Sequence, residues 1–441
     1  MHRSRLLKWA LVTLALAGCA TTKGATGTEP VLAIRNVRIF DGQRVIPEGT
    51  VVVSGGKILA VGADVSPPEG AEVLDGQGQT LLPGLIDAHF HADGPDAYRA
   101  ALAFGATTVL DMFAQLSSAG ARTPVEQLPQ RGPDEADNLM GLLITAPGAH
   151  GTEYPGVTAL TATTPQECEA AVERAVAAGS RFIKLVYDSG EFITPQPVPT
   201  LKREVMAGCI QAAHARNRMV VVHATTARES RETLEAGVDG IVHGIAGPMP
   251  DDAYLQLLVQ RGAFVVPTLA VIHAAAGQGH LERVLNDQLL EPYVTPSSLA
   301  MLKLTFPEGF GALLRPDVTR QYTRKLVEAG VPVLAGSDSF NPGVTVGASL
   351  HYELELLVES GLTPEQTLAA ATSVPATAFH LSDRGRIAPG LRADLLLVRG
   401  DPTKDIRQAR DIVGVWKEGR RLDRDAYRAS VAAARAQGTK P

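Results

Sequence analysis

The chain of 441 residues reads as an α/β protein, a (β/α)8 barrel joined to one smaller sheet-rich domain built from both flanks. Three observations predict this. An apolar helix, a glycine or polar stop and a β-branched strand recur in that order along the middle of the chain. Short β-type runs lie on both sides, each group too small to bury a core alone. Hydrophobic content of 45% with 20% charged residues is ordinary for a globular protein.

The N-terminus stands apart. Arg3, Arg5 and Lys8 precede an apolar stretch from Trp9 to Leu16 that is too short to span a bilayer, the pattern of a signal peptide over residues 1–18. The segment Leu16-Ala-Gly-Cys19 resembles the lipobox of bacterial lipoproteins, which implies lipidation at Cys19 and an exported, membrane-anchored protein. Ala20 in place of Asp implies, by the same resemblance, the periplasmic side of the outer membrane. Residues 19–30 are small and polar, a flexible tether. With a net charge of −6 and no basic block beyond this leader, no nucleic-acid partner is expected. Contact with the membrane is expected through the lipid alone.

From Val31 the pattern is β-type: Val31–Phe40, Thr50–Ser54, Lys57–Gly62 and Ala71–Asp75, with Ser54-Gly55-Gly56-Lys57 as a hairpin turn. Similar runs return at Ala393–Arg399 and Ile412–Trp416. Residues 31–82 and 383–430 are therefore expected to form one composite domain around a barrel of residues 83–382. The barrel strands are the His89 strand, Ala106–Met112, Leu142–Ala146, Arg181–Tyr187, Met219–Ala224, Gly240–Gly244, Phe264–Val271 and Val333–Ser337. Helices ending near glycine alternate with them, parallel strands with helical crossovers being the natural arrangement. His273 to Arg315 fits no unit and reads as an insertion over one barrel mouth. Val346–Ser360 and Pro364–Leu381 read as two closing helices. Cys168 and Cys209 read as buried free thiols.

Metal-competent residues sit at strand ends, where barrel enzymes keep their active sites. His89 and His91 stand two apart in an extended segment and so face one side. A second strand carries Lys184, and His223, His243 and Asp338 end or follow three others. Imidazole and carboxylate in such a cluster are ligands for zinc and similar metals. His214, His273, His280, His351 and His380 read as structural.

The segments Pro83-Gly-Leu-Ile-Asp-Ala-His-Phe-His91, Val222-His223, Ile241-Val-His243-Gly, Gly336-Ser-Asp338 and Gly385-Arg-Ile-Ala-Pro-Gly-Leu-Arg-Ala-Asp394-Leu together resemble the amidohydrolase superfamily. The resemblance runs from about Val31 to Leu422 and implies a (β/α)8 barrel with a composite β-sandwich. It also implies two divalent metals, most commonly zinc. His89, His91 and Asp338 would hold one, His223 and His243 the second, and Lys184 would bridge them as a CO2-derived carbamate. Residue 226 is Thr, where mononuclear deaminases of the superfamily carry glutamate. With Lys184 present, the chain is most similar to the binuclear branch of Xaa-Pro dipeptidase-like and imidazolonepropionase-like enzymes. That similarity places His150 and Tyr187 near the substrate, although Ala149 departs from the branch's Gly-Gly-His-Gly. The implied reaction is amide hydrolysis of a small dipeptide or N-acyl amino acid by a metal-bridged hydroxide, with Asp338 as general base and then acid. A mononuclear deaminase, a cyclic amide or lactone hydrolase, and a non-catalytic binding lipoprotein are the alternatives.

Overall fold

The alternation becomes two sheets in the computed structural model, which describes residues 30–92, 94, 96–114, 132–153 and 159–438. The signal peptide, the lipidation residue Cys19 and the tether up to residue 29 lie outside the described residues.

Seven parallel strands follow one another around the barrel: Leu85–Phe90, Ala106–Ala114, Asp137–Thr145, Phe182–Val186, Val220–His223, Gly240–Val242 and Phe264–Val266. Residues 332–338 close the ring. On one side Val265 donates to the Pro332 carbonyl and accepts from the Leu334 N–H, both at 2.9 Å. On the other, the Ala88 N–H donates to Ala335 (2.9 Å) and the Asp338 N–H to the His89 carbonyl (2.7 Å). Ile86, Leu110, Phe182, Val221, Phe264 and Leu334 pack the interior, while Leu85, Val109, Ile144, Leu185 and Val222 face the helices. This is the two-sided burial of a parallel sheet.

Both flanks build the second sheet. Gln79–Pro83, the last strand before the barrel, pairs antiparallel with Leu395–Arg399 and parallel with Leu32–Phe40. At the far edge Lys57 bridges to Arg392, so the sheet folds over a core that includes Ile34, Val51, Ile58, Leu81, Leu397 and Trp416. Ser54 pairs with Lys57 across the expected hairpin, with Gly55 and Gly56 at φ of 58° and 73°. Two positive φ values in sequence define the turn that matches strand twist.

Beyond shifts of strand ends and the added strand Gln79–Pro83, four features differ from the expectation. The seventh strand stops at Val266, because Pro267 has no N–H for the ladder and Thr268 adopts φ 48°. Leu269–Ala275 is then a helix. The second closing helix divides into Pro364–Ala370 and Ser373–Ala378. A continuous helix would set the Pro375 ring against the Ala371 carbonyl. Cys168 and Cys209 are not free thiols. Helices Pro165–Ala177 and Arg203–His214 pack together, bring the two Cα atoms within 5.1 Å and join the cysteines as a disulfide. Finally, the chain continues past the second sheet into a helix, Arg424–Gly438, whose Arg435 binds Glu291 and the Val294 carbonyl of the insertion.

Candidate active site

A cavity of about 530 Å³ opens at the C-terminal ends of the barrel strands. His89, His91, Lys184, His223, His243 and Asp338 all line it. The first strand brings two of them there by breaking its own alternation. Ile86 and Ala88 point into the barrel, so strict pleating would send His89 outward. A register shift between Asp87 and Phe90 turns the chain by one residue, and His89 and His91 then flank an outward-facing Phe90. A bulge that re-aims a side chain beside an active site is a recurrent device. His243 solves the same problem differently. It follows the inward-facing Val242 and reaches the cavity from φ 80°, a left-handed conformation that costs of order 1–3 kcal/mol for a residue other than glycine. Asp338 is left-handed too, at φ 53°.

The polar atoms converge. His91 Nε2 lies 2.9 Å and His89 Nε2 3.3 Å from Asp338 Oδ1, and His243 Nδ1 lies 3.7 Å from Asp338 Oδ2. Ligand atoms of His89, His243 and Asp338 fall within 4.8 Å of one another. Two ligands that each stand about 2.1 Å from one ion are themselves roughly 3–3.5 Å apart, so the spacings of His91 and His89 to Asp338, 2.9 and 3.3 Å, are those of ligands to one divalent metal. The rings of His223 and His243 meet at 4.2 Å between centroids. Outer contacts hold the ligands. Thr268 Oγ1 is 2.8 Å from His243 Nδ1, and Asn341 Nδ2 donates to both the carbonyl and Oδ1 of Asp338 at 3.0 Å. A proton on His243 Nδ1, donated to Thr268, leaves Nε2 its lone pair.

Electrostatics favour the same use. Burial, with the positive charges of Lys184 and neighbouring imidazoles, pushes His89 and His243 well below the usual histidine range. Their rings stay neutral, as a metal ligand must be. Burial also lowers Lys184 to about 7, against an opposing pull from Asp338. Burial thus weakens the charged form of its amine. Burial works to raise the Asp338 carboxyl, but the hydrogen bond from His91 and the surrounding positive groups hold it below the ordinary value. The residues present therefore fit divalent cations.

His150 and Tyr187 part company. The His150 ring lines the cavity 4.9 Å from His223, with Nδ1 2.6 Å from Glu153. Tyr187 does not join it. Val186 and Asp188 face inward, so Tyr187 faces the helices, where its hydroxyl donates to Glu232. The inward neighbour, Asp188, escaped the sequence reading. Its Oδ2 lies 3.4 Å from His223 Nε2 and accepts the Thr225 N–H, while Oδ1 accepts the Gly190 N–H. The signal was available, since Lys184, Val186 and Asp188 alternate on one face. Thr226 caps the helix Ala227–Glu235 rather than entering the cavity. His214, His273, His280, His351 and His380 lie outside the cavity lining; His280, for example, stacks on Tyr352 at 4.3 Å.

The sequence profile of the Amidohydrolase family matches residues 80–422, most of the chain. The imidazolonepropionase of Deinococcus deserti is 25% identical over 417 residues, covering 90% of this chain and 96% of that enzyme. The imidazolonepropionase of Rubrobacter xylanophilus is 29% identical over 384 residues, covering 79% and 84%. A solved Xaa-Pro dipeptidase with methionine bound in its active site superposes with a TM-score of 0.70 at 22% identity, over 89% of this chain and 99% of that one. The chain belongs to the amidohydrolase family, whose members use divalent metals, and is a hydrolase acting on carbon–nitrogen bonds.

Proposed function

We propose that this hydrolase cleaves the amide bond of a dipeptide or N-acyl amino acid at a two-metal centre. The observation that carries the reading is the convergence of Lys184 with four histidines and Asp338 on one cavity floor. In this reading His89, His91 and Asp338 would hold one divalent ion, zinc being a good match to the donors, and His223 and His243 would hold the other. Lys184, its neutral amine adding to CO2 with loss of one proton, would supply a carbamate carboxylate as a further ligand. When bound, such ions lower the pKa of water toward about 7 and polarise the scissile carbonyl. Asp338 takes the proton from the attacking water as the new C–O bond forms. It returns that proton to the leaving nitrogen as the C–N bond breaks. Asp188 and Thr268 orient His223 and His243, and His150 stands beside the substrate.

Purified protein loaded with zinc is predicted to hydrolyse members of a dipeptide and N-acyl amino acid panel. Lys184→Ala is predicted to lose that activity. Turnover of cyclic amides with none of linear ones would favour a second reading, for which the imidazolonepropionase relatives speak.

We further propose export and lipid anchoring through Cys19. The Cys168–Cys209 disulfide supports this, because such bonds persist in oxidising compartments and are rare in the cytosol. Mass spectrometry of the membrane-extracted protein tests it: a lipid adduct on an N-terminal Cys19 is expected, and an intact unmodified leader would exclude it.

A further inference from the structure

Above the polar floor, the cavity wall changes character. Ile272 of the helix Leu269–Ala275 and the insertion residues Phe306, Phe310 and Leu314 form one side. Phe113 and Leu143, on the second and third strands, form another. The rings of Phe306 and Phe310 stack face to face, 4.7 Å between centroids and 7° from parallel. Both are only half-buried. Ile272 and Phe306 belong to one small apolar cluster, Phe113 and Leu143 to another, and both clusters are separate from the main core. Phe113, Leu143, Ile272 and Leu314 are already buried and back the wall, so the apolar surface that a ligand can cover is chiefly that of the half-buried Phe306 and Phe310.

Charge points the same way. Among the described lining residues Glu153, Asp188 and Asp338 are acidic, and Lys184 on the floor is the only lysine or arginine. An anionic substituent set against the aromatic wall would lose its hydration without a cationic partner, whereas an apolar one gains by burial. The volume suffices for a phenyl-sized group beside the scissile amide.

We infer that this wall is a specificity subsite for a bulky, uncharged, apolar group of the substrate, aromatic or branched, attached near the scissile bond. The inference rests on the floor being the metal-holding reaction centre proposed above. It narrows the substrate class to hydrophobically substituted amides and gives the insertion a task.

Calorimetric titration of the full-length, zinc-loaded protein tests it with two hydroxamates, acetohydroxamate and 3-phenylpropanohydroxamate, which share one metal-binding head. The phenyl compound is expected to bind at least about tenfold more tightly, as burial of several CH2 and ring carbons requires. Phe310→Ala, and independently Phe306→Ala, should remove most of that preference and leave acetohydroxamate unchanged. Equal affinity for the two probes, no binding of the phenyl compound, or an equal loss for both in each folded variant would overturn the subsite. Turnover separates the two readings. Tail-dependent binding without hydrolysis of any amide would sink the amide hydrolase and keep the subsite. Hydrolysis with no advantage for apolar substrates would do the reverse.

Discussion

The two ends of the barrel handle buried carboxylates in opposite ways. At the bottom, Asp137 begins the third strand and meets Arg384, Arg392 and Lys417 at 2.7, 2.8 and 2.7 Å. Those three cations come from the chain leading into the second sheet and from the sheet itself, so the cluster rivets one domain to the other. Burial works to raise the Asp137 carboxyl, but Lys417 and the two arginines bring it down to about 2. At the top, Asp338 is buried more deeply than the half-buried Asp137, yet it meets imidazoles, two of which are held neutral, and the weakened base Lys184. One end supplies its carboxylate with fixed cations, and the other leaves room for cations from outside. That is the division expected of a barrel, stability below and chemistry above.

Substitutions separate the two ends, and the largest effect belongs at the top. Asp338→Asn removes a proton acceptor and a candidate ligand while keeping the shape. We predict a fall in kcat/KM of roughly 10³-fold or more on any amide the enzyme cleaves, with the melting temperature of the metal-free protein little changed. Asp137→Asn should do the converse. It strands three cations at a largely buried junction, and roughly 2–4 kcal/mol of stability should disappear in urea unfolding, with kcat within a few-fold of normal. A large loss of kcat per folded molecule there would erase the contrast.

The acid limb sharpens the same point. The carboxyl of Asp137 is depressed from 3.8 to about 2, so its contribution is complete above about pH 4 and fades as pH falls toward 2. A shift of that size corresponds to roughly 2–3 kcal/mol. Between pH 5 and pH 2 the wild type should therefore lose more stability than Asp137→Asn, by about that amount; parallel curves would rule out the assigned role. The smallest effect is expected at Thr268→Val, which keeps the side chain's shape but removes the oxygen 2.8 Å from His243 Nδ1. Metal affinity or kcat should fall about 10-fold, within the range for outer contacts of metal ligands. An unchanged variant would leave Thr268 a bystander.

Much of this site is legible in the sequence, because strand ends in a parallel barrel impose a simple geometry. His223 follows from alternation alone. His89 reaches the same place only through a bulge, and His243 and Asp338 stand there in left-handed conformations, which residue types do not announce. Alternation also explains the error at Tyr187: adjacent to the right residue, it points the wrong way, and Asp188 has the place. The run Phe264–Val271 is β-branched and apolar throughout, and short runs of that kind do not distinguish strand from helix. Pro267 was the visible warning. The Cys168–Cys209 bond depends on how two helices pack across 41 residues of sequence, which their spacing does not encode. Asn341, Thr268 and the Phe306–Phe310 wall come from loops, whose positions are set by tertiary packing.

The central proposal is that the top of the barrel would hold two metal ions, with Lys184 supplying one of the ligands. Metal content per chain, measured by plasma mass spectrometry after zinc loading and exhaustive dialysis, tests it most directly when wild type, Lys184→Ala and Asp137→Asn are compared. The account predicts close to two ions for wild type and for Asp137→Asn, and no more than one for Lys184→Ala, together with lost amide hydrolysis. One tightly held ion in the wild type, with activity surviving Lys184→Ala, would contradict it.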